Sequence, residues 1–473
     1  MGTGLVARNG GRIGVVALAA ILLLGLGLRV GEAWDGRAPV YDAAAYAAIA
    51  SNLSDGDGFT VGAAATQPSS NYSPGLPLFV AGVYKVTGGE HERTARLLLA
   101  LIGTLAIPLT YLLGRRLARL ARPVDPPQLG EVDRQGVAAG LIGAGAVAVY
   151  PALLEYQGML MSEPLAATLL AGAILGILWA GDGKSLLRWP GPGVLLGALA
   201  LVRPEYLGVA VILALVIFGR GVLRGSFFAP GDQKEPRDGW RVSLTRAAVL
   251  LFGVAVVVAP WTIRNAVALD RFVPISTGGG QVLFAGTYLP SDGDPEKVGA
   301  EVVAENPALF SPGDAERLRL EQILAVLAAD RYPGLETDKA LSRMGREQLW
   351  DDVSEEPVEY AGFVATKVWR IWSHGPRDVM REPGWEIFHW ALVASGLVGL
   401  GVLAWRRRWE ALLLATVFLS ITAVSALLVA SPRRVLVMLP LVAALAGVGA
   451  VRAFTASDLL RPIARKRSAT RAG

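Results

Sequence analysis

Residues 41–58 read Tyr-Asp-Ala-Ala-Ala-Tyr-Ala-Ala-Ile-Ala-Ser-Asn-Leu-Ser-Asp-Gly-Asp-Gly. Apolar side chains at Tyr46, Ile49, Ala50 and Leu53 follow the i, i+3, i+4, i+7 spacing of an amphipathic helix, one that lies on a membrane surface rather than crossing it. Ser54 to Gly58 ends the helix, and Asn71-Tyr72-Ser73-Pro74-Gly75-Leu76-Pro77 returns the chain to apolar sequence through turn-forming residues. Asp42 is thereby held at the water boundary beside an apolar face. Two readings stand: a catalytic base for chemistry on a membrane-bound substrate, or the N-cap of the surface helix, whose oxygen accepts backbone N–H bonds.

The rest of the chain fits a membrane setting. Of 473 residues, 53 % are hydrophobic, and the mean hydropathy is +0.44, which describes an all-α polytopic membrane protein rather than a soluble globule. The absence of cysteine removes disulfides, thiolate chemistry and sulfur-ligated metals. His91, His374 and His389 are scattered without ligand spacing, which argues against a His-based zinc site. The net charge of +5 comes from basic loops between apolar runs and implies no nucleic-acid partner.

Ten apolar runs are candidate spans: 13–30, 97–113, 137–150, 164–180, 194–202, 206–218, 247–261, 390–404, 411–430 and 435–451. The first has a cleaved signal peptide as its alternative, but it is long for one and lacks a small-residue cleavage site. The loops 1–12, 115–134, 181–189, 220–246, 405–409 and 452–473 carry most of the loop Lys and Arg. By the positive-inside rule both termini are cytoplasmic in a multi-pass plasma-membrane protein. The apolar run 76–86 is too short to span and reads as a re-entrant or juxtamembrane helix on the outer side. Three regions follow: 1–267, a transmembrane module with a first outer loop 31–96; 268–386, an extracytoplasmic region that is mostly helical; and 387–473, the last spans and a basic tail suited to anionic membrane lipids. Within 268–386, residues 276–281 read as loop, 315–331 and 335–350 as helices, and 357–372 as an amphipathic interfacial helix.

Arg29, Glu163, Arg203, Glu205, Arg264, Arg433 and Arg434 all fall at outer span ends. Each alone is as well explained by snorkelling or ion pairing. Together they run against the bias that sends basic residues inward, and an anion held by guanidinium forks, a lipid phosphate, explains that. A carboxylate would take a proton from an acceptor hydroxyl while arginines stabilise charge on a departing phosphate. No Walker loop or dinucleotide fingerprint is present for a nucleotide donor. Asp55-Gly56-Asp57-Gly58 reads as a plain turn, since the further ligands of a calcium loop are missing.

An ordered set of short motifs resembles the GT-C glycosyltransferases, in the group that includes protein O-mannosyltransferases and lipid A aminoarabinose transferases. The motifs are Leu28-Arg29, Asp42-x-x-x-Tyr46, Asp57-Gly58-Phe59, Ser73-Pro74-Gly75-Leu76-Pro77, Gly114-Arg115-Arg116-Leu117, Ser162-Glu163-Pro164, Leu201-Val202-Arg203-Pro204-Glu205, Pro260-Trp261-Thr262-Ile263-Arg264-Asn265, and Arg433-Arg434 before Pro440. The resemblance implies a sugar donor on polyprenyl monophosphate, inverting transfer on the outer face to a glycan, lipid or protein hydroxyl, and Asp42 as base. It implies catalytic roles for Asp42 and Glu163 and substrate binding by Arg29, Tyr46, Arg203, Glu205, Arg264, Asn265, Arg433 and Arg434, and it leaves the need for a divalent cation open. Ala43 stands where many members carry Glu, so that role is vacant or taken by Glu163. A transporter or flippase, or a non-catalytic binder of lipid-linked sugar, is the rival class; no paired halves or repeated broken helices support transport.

Overall fold

The computed structural model describes residues 2–61, 67–121, 129–223, 239–373 and 375–470. The side chains of the basic tail from residue 455 on, and parts of the basic loops 115–134 and 220–246, lie outside what is described. Helices follow in the order α1 (Gly2–Asp35), α2 (Asp42–Asp55), α3 (Gly75–Thr87), α4 (Glu92–Thr104), α5 (Ala106–Leu120), α6 (Leu129–Val149), α7 (Pro151–Glu155), α8 (Glu163–Gly181), α9 (Pro190–Val202), α10 (Glu205–Leu223) and α11 (Trp240–Leu269). Then come α12 (Gly279–Thr287), α13 (Val298–Glu305), α14 (Asp314–Arg317), α15 (Leu320–Arg331), α16 (Thr337–Glu355), α17 (Pro357–Ser373), α18 (Pro383–Trp405), α19 (Trp409–Leu427) and α20 (Arg433–Thr470). Among the described residues there is no strand.

Among the described residues eight helical stretches are long and apolar enough to cross a membrane; seven of the ten expected runs lie within them and an eighth, 411–430, runs past the end of Trp409–Leu427. The other two, 137–150 and 194–202, fall in the shorter apolar helices Arg134–Val149 and Leu186–Val202. Helix α3 has 13 residues, about 20 Å, short of the hydrocarbon thickness. The segment read as loop at 276–281 turns helical from Gly279.

Helix α20 is the axis of the bundle: every residue from Val435 to Gly449 is buried, and α5, α6, α8 and α18 pack around it. Small residues allow the close approaches. A Cβ on Gly399 of α18 would lie 2.1 Å from the Leu445 carbonyl of α20, and one on Gly193 of α9 would lie 2.1 Å from the Leu250 carbonyl of α11, so both contacts require glycine. Because the helices alternate in direction, the segments 36–61, 67–91, 150–162, 203–204, 270–373, 375–382 and 428–432 meet at one end. There, a second hydrophobic core, including Phe284, Val302, Leu324, Leu327, Leu341 and Met344, packs α12, α13, α15 and α16 into a helical unit beside the bundle.

A candidate active site at the N-termini of four helices

Four helices begin at one point with charged residues: Asp42 opens α2, Glu163 opens α8, Glu205 opens α10, and Arg433 and Arg434 open α20. A carboxylate in a first helical turn is favoured by the helix dipole, and two guanidinium groups there are not. The arginines are therefore held by the carboxylates. Arg433 Nε donates to Glu163 Oε1 at 2.6 Å and its Nη1 to Asp42 Oδ2 at 2.9 Å. Arg203 Nη2 donates to the same Glu163 oxygen at 2.6 Å. Glu205 Oε1 faces Arg203 Nη1 at 3.6 Å and Arg434 Nε at 3.7 Å. Arg434 is further anchored by the Val429 carbonyl at 2.5 Å and the Ser425 hydroxyl at 3.3 Å.

The carboxylates differ in access. The Glu163 side chain is fully buried, whereas that of Asp42 is 41 % exposed. Glu163 bridges two guanidiniums with one oxygen while its Oε2 is buried without a partner. It holds Arg203 and Arg433 from behind. Asp42 lies between two cavities. One, of about 330 Å³, is lined by Asp42, Tyr46, Arg203, Glu205, Arg433 and Arg434, with Gln281, Ala285 and Leu320 of the helical unit on its far side. The other, of about 240 Å³, is lined by Arg37, Asp42, Tyr156, Met161, Arg377 and Arg433.

The N-cap reading of Asp42 fails. Tyr41, at φ 50°, is the capping position, no side chain caps the helix, and the Asp42 carboxylate turns to Arg433 instead. Tyr46 packs edge-on against Tyr72 with centroids 5.7 Å apart; burial first, then Asp42, raises its phenol above the ordinary value, so it stays a proton donor. The sequence singles out neither Tyr156, Arg37 nor Arg377. Tyr156 carries the Arg433 guanidinium over its ring at 5.7 Å, and burial, then Glu163, pushes its hydroxyl up to about 12. Arg37, an outward arginine five residues before Asp42, was discoverable by the same loop-charge argument. Tyr156 and Arg377 carry no such signal.

Three expected ligand-binding residues do not join the cluster. Arg29 is buried, with Nη1 donating to the Gly25 and Ala148 carbonyls at 3.1 Å and Nη2 to Val147 at 2.8 Å; it clamps α1 to the end of α6. Arg264 donates to the Ser69 and Phe59 carbonyls at 2.9 and 3.2 Å and stacks on Trp261 and Phe59. Asn265 Nδ2 donates to Val273 and Ile275 carbonyls at 3.1 and 3.0 Å. Both residues hold loops in place. Arg264 also donates to Asn265 Oδ1 at 3.0 Å, and both side chains satisfy backbone carbonyls that would otherwise be unpaired.

A divalent cation fits the cluster poorly. The carboxylates that would ligate it, Asp42 and Glu163, share the Arg433 guanidinium, which sits where the ion's charge would be. Among the described residues no group of three or more His, Asp or Glu converges on a metal position.

Comparison of the fold with solved structures gives matches over nearly the whole chain. Archaeal oligosaccharyltransferase AglB from Archaeoglobus fulgidus, solved with an inhibitory peptide and a dolichol-phosphate, aligns at TM-score 0.54 and 17 % identity over 96 % of this chain and 52 % of that one. The fold is of the GT-C type. The same archaeal enzyme in complex with Zn and sulfate aligns at TM-score 0.53 and 16 % identity over 96 % and 51 %. ArnT from Cupriavidus metallidurans bound to undecaprenyl phosphate gives a loose overlay, TM-score 0.36 and 15 % identity over 96 % and 80 %. The chain spans about half the length of the oligosaccharyltransferase. No protein-family model matches the sequence, and no curated protein does.

Proposed function

We propose that this chain is a membrane glycosyltransferase that moves a sugar from a polyprenyl monophosphate to an acceptor hydroxyl, with inversion, at the outer face of the plasma membrane. The observation that carries the reading is Asp42, an accessible carboxylate between two cavities, tethered to an arginine that is itself fixed by buried Glu163. The fold shared with an oligosaccharyltransferase solved with a dolichol-phosphate supports the donor class. The basic loops at the opposite end of the bundle support the sidedness.

In this reading the donor phosphate docks on Arg433 and Arg434, replacing Asp42 as the partner of Arg433 Nη1. The released Asp42 carboxylate then faces the acceptor hydroxyl. The hydroxyl oxygen attacks the anomeric carbon as its proton passes to Asp42, and the carbon–oxygen bond to phosphate breaks with the electron pair leaving on the lipid phosphate. Arg433 and Arg434 stabilise that charge, and Arg203 and Glu163 keep Arg433 aimed. A single displacement inverts the anomeric centre.

Asp42→Asn tests this. General-base assistance is worth about 10²–10⁴ in rate, so transfer from a polyprenyl monophosphate sugar should fall by that factor while the protein stays folded and still binds the lipid. Near-normal transfer in the folded variant would remove Asp42 from the mechanism, and no transfer by the wild type from any such donor would favour a binder or flippase.

A further inference from the structure

We infer that helix α17 lies in the bilayer interface at the cluster end of the bundle, with one face in lipid, and that the membrane thereby supports a wall of the cavity at Asp42.

The helix is apolar on two opposite faces. Tyr360, Phe363 and Ile371 are buried against the rest of the chain. On the other side Val358, Ala361, Gly362, Ala365 and Trp369 are exposed, a spacing that keeps them in one stripe over about 17 Å of helix. Val358 is 84 % and Trp369 61 % exposed. The two basic residues of the helix are not on this stripe. Lys367 is buried, with Nζ donating to the Gly286 carbonyl at 2.5 Å, and Arg370 Nη1 faces Asp294 Oδ2 at 3.3 Å. A helix on a water-facing surface turns its charges outward, whereas one that is apolar all round belongs in a core or in lipid.

The neighbouring span decides which. Ile387, Ala391, Ala394 and Leu397 are exposed along α18, the outward stripe of a helix long and apolar enough to cross a membrane. Trp390, beside that stripe near the start of α18, packs against Trp369 with ring centroids 5.4 Å apart. The stripe on α17 therefore continues the lipid-facing surface of the span, and the tryptophan pair joins them near the span's end, the level at which tryptophan is enriched in membrane proteins. With no Lys or Arg on the stripe and Glu359 exposed at its edge, the face fits acyl chains and does not select anionic headgroups.

The inner face of α17 reaches the site. Lys367 holds the end of α12 through Gly286, and Arg370 holds the following loop through Asp294. Gln281, Val282 and Ala285 of α12 line the cavity at Asp42 together with Pro295. The depth of α17 in the bilayer thus fixes where this wall stands, whatever reaction Asp42 carries out.

The chain has no cysteine, so single nitroxide labels can be placed through Ala361→Cys and Ala365→Cys, both at small exposed positions, in the full-length protein in phosphatidylcholine vesicles. Leu397→Cys serves as the lipid reference and Asp57→Cys, in an exposed polar turn, as the water reference. At positions 361 and 365 collision with oxygen should be high and with nickel–EDDA low, as at position 397, and phosphatidylglycerol in the vesicles should change neither. Nickel access equal to that at position 57 would put the face in water. Low access to both reagents would mean that protein covers it, a second copy of the chain or another partner. Either result, or a need for anionic lipid, overturns the docking. For the wall, electron–electron distances between labels at Gln281→Cys and Leu397→Cys should broaden when Trp369→Asp is added, or Val358→Asp if that variant does not fold. A distribution unchanged by the charge, while nickel access at position 361 rises, would sever the docking from the cavity.

Discussion

At the end of the bundle where α5, α8 and α20 carry their C-terminal halves, arginines cap helices. Arg408 Nε donates to the Leu120 carbonyl at 3.2 Å, Arg452 to the Ala121 carbonyl, and Arg246 to the Gly183 carbonyl at 3.1 Å. These bonds meet unpaired carbonyls at the negative ends of helix dipoles. At the opposite end Arg203 and Arg433 donate to carboxylates at the edge of a cavity, while Arg434 donates to the Val429 carbonyl and faces Glu205 at 3.7 Å; Arg433 and Arg434 sit at a helix N-terminus, where the dipole disfavours them. A backbone carbonyl is a neutral partner fixed by the fold, whereas a guanidinium shared among side-chain carboxylates, as Arg433 is, can exchange a partner for a phosphate.

The contrast is sharpest in Arg433→Ala. Removal leaves Glu163 buried with half its pairing, and breaking a buried ion pair costs about 3–5 kcal/mol. Thermal unfolding should show that loss, and Glu163→Gln in the same chain should recover part of it. No recovery would mean that Arg433 is held by packing rather than by charge.

Arg264 breaks the simple division, because it lies at the cluster end yet behaves like a capping arginine. Arg264→Ala leaves two loop carbonyls unpaired, at about 1–3 kcal/mol for a buried group. Hydrogen exchange or proteolysis should report loosening of the 59–72 segment, with lipid-phosphate affinity unchanged. A fall in affinity without loosening would return Arg264 to the ligand-binding set.

Lys367 marks a smaller effect. Fully buried at the cluster end, it donates to the Gly286 carbonyl at 2.5 Å with its ammonium over the Phe363 ring. Burial, then Arg434, lowers its amine from 10.5 to about 8. The unfolded chain therefore holds the extra proton between about pH 8 and 10.5, and stability should rise with pH across that window and stay flat below it. Unfolding temperatures at pH 7.5 and 9.5 measure this, and Lys367→Met should abolish the difference.

The fold was largely legible because apolar runs are a one-dimensional signal, and they located the eight long apolar helices among the described residues. The site was legible only in part. Arg29, Arg203, Arg264 and Arg433 look alike in sequence: each is an arginine at the end of an apolar run. What separates them is whether a carbonyl of another helix or a carboxylate lies within reach, and that depends on packing between residues as far apart as Arg433 and Asp42. Asp42 was ambiguous for a related reason, since a cap and a base occupy the same place at a helix start.

The central claim is that the cluster arginines hold a lipid phosphate and the capping arginines do not. Binding of a polyprenyl monophosphate to Arg433→Lys and to Arg408→Lys, each in the folded protein, tests it most directly. Lysine keeps the charge but loses the fork, and a lost charge-assisted hydrogen bond is worth about 1.5–3 kcal/mol. Affinity should therefore fall at least about tenfold in Arg433→Lys and stay at the wild-type level in Arg408→Lys. Equal affinities in the two variants would contradict the account.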